Sequence, residues 1–141
     1  MQIIFYVASY GDWTDWIISR WTRGPFSHCE FLFSDGMCFS SSSRDGGTRF
    51  KQIELQPKHW DYYSLPVDIQ TEHMIRLWCE GEVGKAYDWL GVFGYPLKIQ
   101  NKNKWFCSEI LITALNVNKV TNLPILSPNK FYKELNAITT N

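Results

Sequence analysis

The sequence predicts an α+β domain: an antiparallel sheet or small barrel packed against helices. Three observations carry this. Short β-rich runs, several alternating with period two, crowd the first half of the chain. Helical stripes opened by capping residues flank them and fill much of the second half. No repeat, linker or low-complexity tract divides the 141 residues, so one domain spanning 1–141 is expected. A chain of this length buries roughly 68–70% of its unfolded surface and needs no staple to fold.

The elements follow in order. Residues 2–9 are apolar and β-rich, a first strand. Asp12 with Asp15 at N3 resembles a capping box, and Trp13, Trp16, Ile17 and Trp21 then fall near helical spacing until Gly24-Pro25 ends the run. Such a helix ordinarily packs on the core; Arg20 and Arg23 also fit a basic amphipathic helix at a membrane surface. Residues 28–33 and 37–42 form a hairpin around Ser34-Asp35-Gly36. Gly46 and Gly47 lie in the loop that follows, where positive φ would let backbone approach a ligand, unless the loop is a plain solvated turn. Phe50 to Leu55 alternates as a third strand, and Tyr62 to Val67 reads as another. Thr71 caps a helix running to about Glu82, striped with Met74, Ile75, Leu77 and Trp78. A glycine-bounded loop leads from Gly84 through Gly91 to Trp105, and a helix spans 108–116 with Ile110, Leu111, Ala114 and Leu115 inward. Ser127-Pro128 opens a last helix whose apolar face is Phe131, Leu135 and Ile138.

Composition narrows the function. Fourteen basic residues balance fourteen acidic ones, which argues against a broad nucleic-acid footprint. Aromatic residues make up 16% of the chain, with seven tryptophans; a heavy aromatic core is the ordinary reading and an aromatic-lined groove the alternative. Cys29, Cys38, Cys79 and Cys107 show no CxxC spacing and read as reduced thiols. The N-terminus has neither the basic region nor the apolar length of a signal peptide, and no stretch approaches a membrane span. The expected location is the cytoplasm of its host, with a virion as a further destination for a phage-encoded chain.

The chemistry gathers at His28 and Cys107. Cys107 precedes a helix, where orphaned N–H groups and the helix dipole favour a thiolate and an oxyanion. A buried structural thiol is the other reading of that position. His28 begins the hairpin, and strand alternation puts Glu30 on its face, with Cys29 and Phe31 on the other. A three-residue turn at 34–36 pairs Phe33 with Met37 and sets Glu30 across from Ser40; a two-residue turn would bring Ser41 and Ser43 to the histidine face instead. A carboxylate among apolar strand neighbours needs a partner, so Glu30 is the expected orienting group for the imidazole and Ser40 the second choice. Metal binding by His28, Cys29, Cys38 and Cys107 is disfavoured, because adjacent strand residues point opposite ways. No metal or cofactor is expected.

The segments Ser27-His28-Cys29-Glu30, Gly84-Lys85-Ala86-Tyr87-Asp88 and Phe106-Cys107-Ser108-Glu109, together with Gly36, occur in an order that resembles the circularly permuted NlpC-type papain-like cysteine hydrolases of the YiiX and YaeF kind. With its Trp-rich helix and Ser-Ser-Arg-Asp-Gly-Gly segment, the chain also resembles small proteins of phages and bacteria. The resemblance spans about residues 2–131. It implies a papain-like fold and a thiol-dependent hydrolase or acyl transferase, with Cys107 as nucleophile and His28 as base. It also implies a third polar residue on the next strand, nearest to Ser40, and places Tyr87 and Asp88 near the cleft. Arg44, with Asp45 and Arg49, would bind a substrate carboxylate or phosphate, or brace the loop.

Three functions follow as expectations. The first is hydrolysis of an amide, with cell-wall peptide the leading substrate. The second keeps the fold and takes a lipid acyl group. The third is a non-catalytic virion part or host-binding protein.

Overall fold

A computed structural model describes residues 1–94 and 103–139. Seven strands and five α-helices form an α+β arrangement. The strands are β1 (Gln2–Val7), β2 (Phe26–Leu32), β3 (Cys38–Ser42), β4 (Gly47–Lys51), β5 (Trp60–Ser64), β6 (Ala86–Tyr87) and β7 (Lys104–Trp105). The helices are α1 (Trp13–Thr22), α2 (Ile69–Glu82), α3 (Trp89–Gly94), α4 (Cys107–Val117) and α5 (Pro128–Thr139). The sheet runs β5-β1-β2-β3-β4-β6-β7. It has two ends and is therefore open, not a barrel. All described pairings are antiparallel except β6 with β7.

The hairpin takes the three-residue turn. Phe33 N–H donates to Met37 at 3.0 Å, and Phe31 and Leu32 register with Phe39 and Cys38. One face of the sheet then carries Ile3, Phe5, Cys29, Phe31 and Phe39 into the core, where Ile110, Leu111, Phe131 and Leu135 cover them. Aromatic rings build much of this layer; Phe5 meets Phe26 and Phe131 at centroid distances of 5.5 and 5.8 Å. Asn129 of α5 clamps the start of β2, accepting from Phe26 N–H at 2.9 Å and donating to Phe26 O at 2.8 Å. That clamp fixes the strand two residues before His28.

Several boundaries differ from expectation, each for a local reason. The third strand is Gly47–Lys51, not 50–55. Gly47 adopts φ 147°, and a Cβ there would lie 2.1 Å from Lys85 O. The glycine therefore admits the β6 backbone, not a ligand. The next strand is Trp60–Ser64, paired along β1, instead of 62–67. α2 is capped by Asp68, whose side chain accepts from Thr71 N–H, so the helix starts before Thr71. Of its predicted stripe, Ile75 is buried while Met74 and Leu77 are exposed. Part of the expected 84–105 loop is α3, and residues 95–102 lie outside the described residues. Ile138 is exposed, leaving Phe131 and Leu135 as the inward face of α5.

α1 departs most. Its capping box forms as expected, Asp12 accepting from Thr14 N–H at 2.9 Å and Asp15 accepting from Asp12 N–H at 3.0 Å. Yet its buried residues are Asp15 and Ile18, and the tryptophans face outward. No helix among the described residues is long and apolar enough to cross a membrane.

Candidate active site

His28 and Glu30 stand on the same side of β2, as alternation requires. His28 Nε2 donates to Glu30 Oε1 at 3.0 Å. Glu30 is in turn held by Arg49 of β4, which donates through Nη1 at 3.0 Å and Nη2 at 2.8 Å. This is a bidentate pair of the kind that fixes a carboxylate in position. Arg49 also donates to Asp45 Oδ2 at 2.7 Å, and Lys51 reaches the other Asp45 oxygen at 2.8 Å. A chain of alternating charge thus runs from the imidazole to the loop after β3. Burial would push the Glu30 carboxyl up, but the bonds from His28 and Arg49 hold it below the usual carboxylate value.

Cys107 is the first residue of α4 and is buried. The β2–β3 ladder registers only at Phe31 and Leu32 among the described residues. α4 packs against both β2 and β3. The Cys107 thiol responds electrostatically to Cys29 and to His28. Hydrogen bonding from Cys29 is the largest influence on it. Together with the imidazolium charge, it lowers the Cys107 thiol well below its ordinary value, against the opposing effect of burial. For His28, burial lowers the imidazole, but the Cys107 charge and hydrogen bond, with Glu30, raise it to about 9. Cys29 itself is pushed up by burial and by Cys107, so it stays a neutral donor.

Two cavities meet here. A polar cleft of about 380 Å³ is lined by His28 and Glu30, by charged Asp12, Asp15, Arg44, Asp45 and Arg49, and by aromatic Tyr6, Trp60, Tyr87 and Trp89, among others. Cys107 lines a smaller apolar cavity of about 20 Å³ with Thr22, Val92, Phe106, Ser127 and Pro128. Ile18, Ser27 and Tyr87 line both. These three side chains stand between the Cys107 sulfur and the wide cleft.

The remaining expected residues have defined places. Ser40 lies in register with Arg49, but its hydroxyl donates to Cys29 O at 2.8 Å instead of contacting His28. Tyr87 is at the partition; burial and the charge of Cys107 raise its phenol, so it remains protonated. Asp88 is buried and accepts from Gly91 N–H at 2.9 Å, the geometry of a cap for α3. Arg44 lines the cleft, but its guanidinium is held by Asp12 and Asp15 of α1. Asp15 also accepts from Ser27 Oγ at 2.6 Å, which ties α1 to the residue before His28. Trp60 and Trp89 line the cleft, and Trp78 and Trp105 pack edge-on at 6.1 Å. The aromatic groove and the aromatic core thus each take a share.

Arg49 and Cys29 were not expected as site residues in these roles. A strand begun at Gly47 would have placed Arg49 beside Glu30. Alternation hides Cys29, because it points away from His28. Glu109, two residues after Cys107, is also notable: burial, with the charges of Asp88 and Cys107, raises its carboxyl to about 7. No group of three or more His, Cys, Asp or Glu side chains suited to a metal ion occurs among the described residues.

Compared with known proteins, the chain matches no family model, no curated protein and no solved structure.

Proposed function

We propose that this protein is a papain-like cysteine hydrolase of circularly permuted order, acting on a carbonyl substrate through a thioester. The observation that carries the proposal is Cys107 at a helix N-terminus, electrostatically tied to His28, whose Nε2 is bonded to Glu30. This is the nucleophile, base and orienting group that such chemistry needs.

In this reading the Cys107 thiolate attacks the carbonyl carbon. The oxyanion develops beside the first N–H groups of α4, which have no partner within the helix. Imidazolium then gives its proton to the leaving amine, and a Cys107 thioester remains. Water, deprotonated by His28, adds to the thioester, and the acid leaves with the thiolate restored. Glu30 keeps the ring in place through both steps and stabilises its positive form, while Arg49 holds Glu30.

The polar cleft, with charges of both signs and four aromatic side chains, favours a peptide amide. The resemblance to the NlpC-type hydrolases favours a cell-wall peptide in particular. A second reading, transfer of an acyl group from a lipid ester, rests on the apolar lining beside Cys107, whose cavity of about 20 Å³ has no room for a whole chain. The test is turnover of peptidoglycan peptides and of lipid esters by the wild type and Cys107→Ala. Thiol-dependent turnover lost in the variant, with its melting temperature kept, is the expected result. Undiminished activity in Cys107→Ala overturns the mechanism, and the substrate turned over separates the two readings.

A further inference from the structure

The outer surface of α1 is unusual for a chain of zero net charge. Trp13, Trp16 and Trp21 are 74%, 60% and 52% exposed. Trp13, Trp16 and Arg20 follow one helical stripe, and the Arg20 guanidinium lies 5.7 Å from the centre of the Trp16 ring. Large apolar side chains gathered on one exposed face mark a contact surface. Beside this face, a groove of about 620 Å³ between α1 and α5 is lined by Arg20, Arg23, Lys130 and Lys133, with no carboxylate among its lining residues. Fourteen basic residues balance fourteen acidic ones over the chain, so this cationic grouping is local.

A second observation points into the same place. The Ser127 hydroxyl is buried with no hydrogen-bond partner in the described structure, although an unsatisfied buried hydroxyl is costly. Ser127 and Thr22 line both the basic groove and the apolar cavity that ends on Cys107. The groove and the cavity beside the nucleophile are therefore neighbours.

We propose that the α1–α5 face docks on an anionic lipid bilayer. The indoles of Trp13, Trp16 and Trp21 enter the headgroup boundary, where their amphipathic rings are favoured. Arg20, Arg23, Lys130 and Lys133 meet lipid phosphates. A bilayer is favoured over a nucleic acid because the rings stand on the outside of a helix, where a surface reaches them together, and not along a channel that tracks a strand. This surface is independent of the proposed chemistry and stands or falls without it.

The test is flotation of the full chain with vesicles of phosphatidylcholine alone and of phosphatidylcholine mixed with phosphatidylglycerol. The wild type is expected to float with the anionic vesicles, less so at high salt, with a blue shift in tryptophan emission. The triple variant W13S/W16S/W21S should lose flotation while keeping its melting temperature, since these rings lie outside the core. Lys130→Gln and Lys133→Gln should each weaken binding about fivefold. Absence of flotation with anionic vesicles overturns the proposal, as does unchanged flotation of the triple variant. Binding to single-stranded DNA without vesicle association also overturns it and reassigns the face to a polyanion.

Discussion

Glu30 accepts a hydrogen bond from His28 Nε2 at 3.0 Å while Arg49 grips the same carboxylate through both terminal nitrogens. The imidazole is therefore oriented by a group that is itself immobilised. Ser40, across the hairpin, spends its hydroxyl on Cys29 O. Glu30→Gln should lower kcat by roughly a hundredfold, in the range typical of positioned acid–base partners. It should also destabilise the fold by about 1–3 kcal/mol, because Arg49 loses one of its two carboxylate partners and keeps Asp45. Ser40→Ala should cost about 1 kcal/mol of stability and leave kcat near wild type. Paired denaturation and turnover measurements check both; equal kcat losses would return Ser40 to the triad.

The pH dependence has a definite sign. The folded His28 value, about 9, exceeds the ordinary 6.5, so its contribution to stability is full below pH 6.5 and is lost as pH rises through about 9. Glu30 is lowered in the fold from 4.5, so its contribution is present above that pH and fades as pH falls through the folded value. Activity that needs imidazolium for the leaving group should fall above about pH 9. In Cys107→Ser the thiolate charge is gone, and an NMR titration of His28 should move to lower pH. An unmoved titration would mean the two side chains do not interact.

Cys29 sets the reactivity of Cys107 from behind. Its thiol and backbone bond to the Cys107 sulfur and help hold the thiolate. Cys29→Ala should shift the pH profile of iodoacetamide alkylation at Cys107 upward and slow the reaction at neutral pH. Cys38 is also buried, and burial pushes its thiol up to about 12. Cys38→Ala should leave the alkylation profile unchanged. Mass spectrometry of the modified peptide assigns the site in both cases.

Tyr87 is part of the wall between the wide cleft and the sulfur. Tyr87→Ala should raise the rate of Cys107 labelling by a bulky maleimide more than by iodoacetamide, because it opens the wall without changing the thiol's partners. Equal acceleration of the two reagents would point to loosened packing instead. Asp88→Ala, by contrast, should act as loss of a helix cap, costing about 0.5–2 kcal/mol. The affinity for substrate should survive wherever the variant stays folded.

Much of this arrangement is written locally in the chain. Alternation along Ser27-His28-Cys29-Glu30 is enough to put histidine and carboxylate on one face, and the turn at Ser34-Asp35-Gly36 is enough to narrow the hairpin to two registers, of which the structure takes the three-residue turn. Phe106-Cys107-Ser108-Glu109 at a helix start is enough to propose a reactive thiol. These depend on periodicity and turn closure over a few residues, which sequence encodes directly. Other features depend on how distant elements meet. Arg49 reaches Glu30 because Gly47 lets β4 lie against β6 and begins that strand early. Cys29 influences Cys107 because α4 packs across β2, bringing two residues far apart in sequence into one core cluster. The same is true of α1: its stripe of tryptophans has the period of a core-facing helix, but the helix turns Asp15 and Ile18 inward, Ile18 packing in a small cluster with Val92 and Phe106. Periodicity tells which residues share a face, and only packing decides which face is buried.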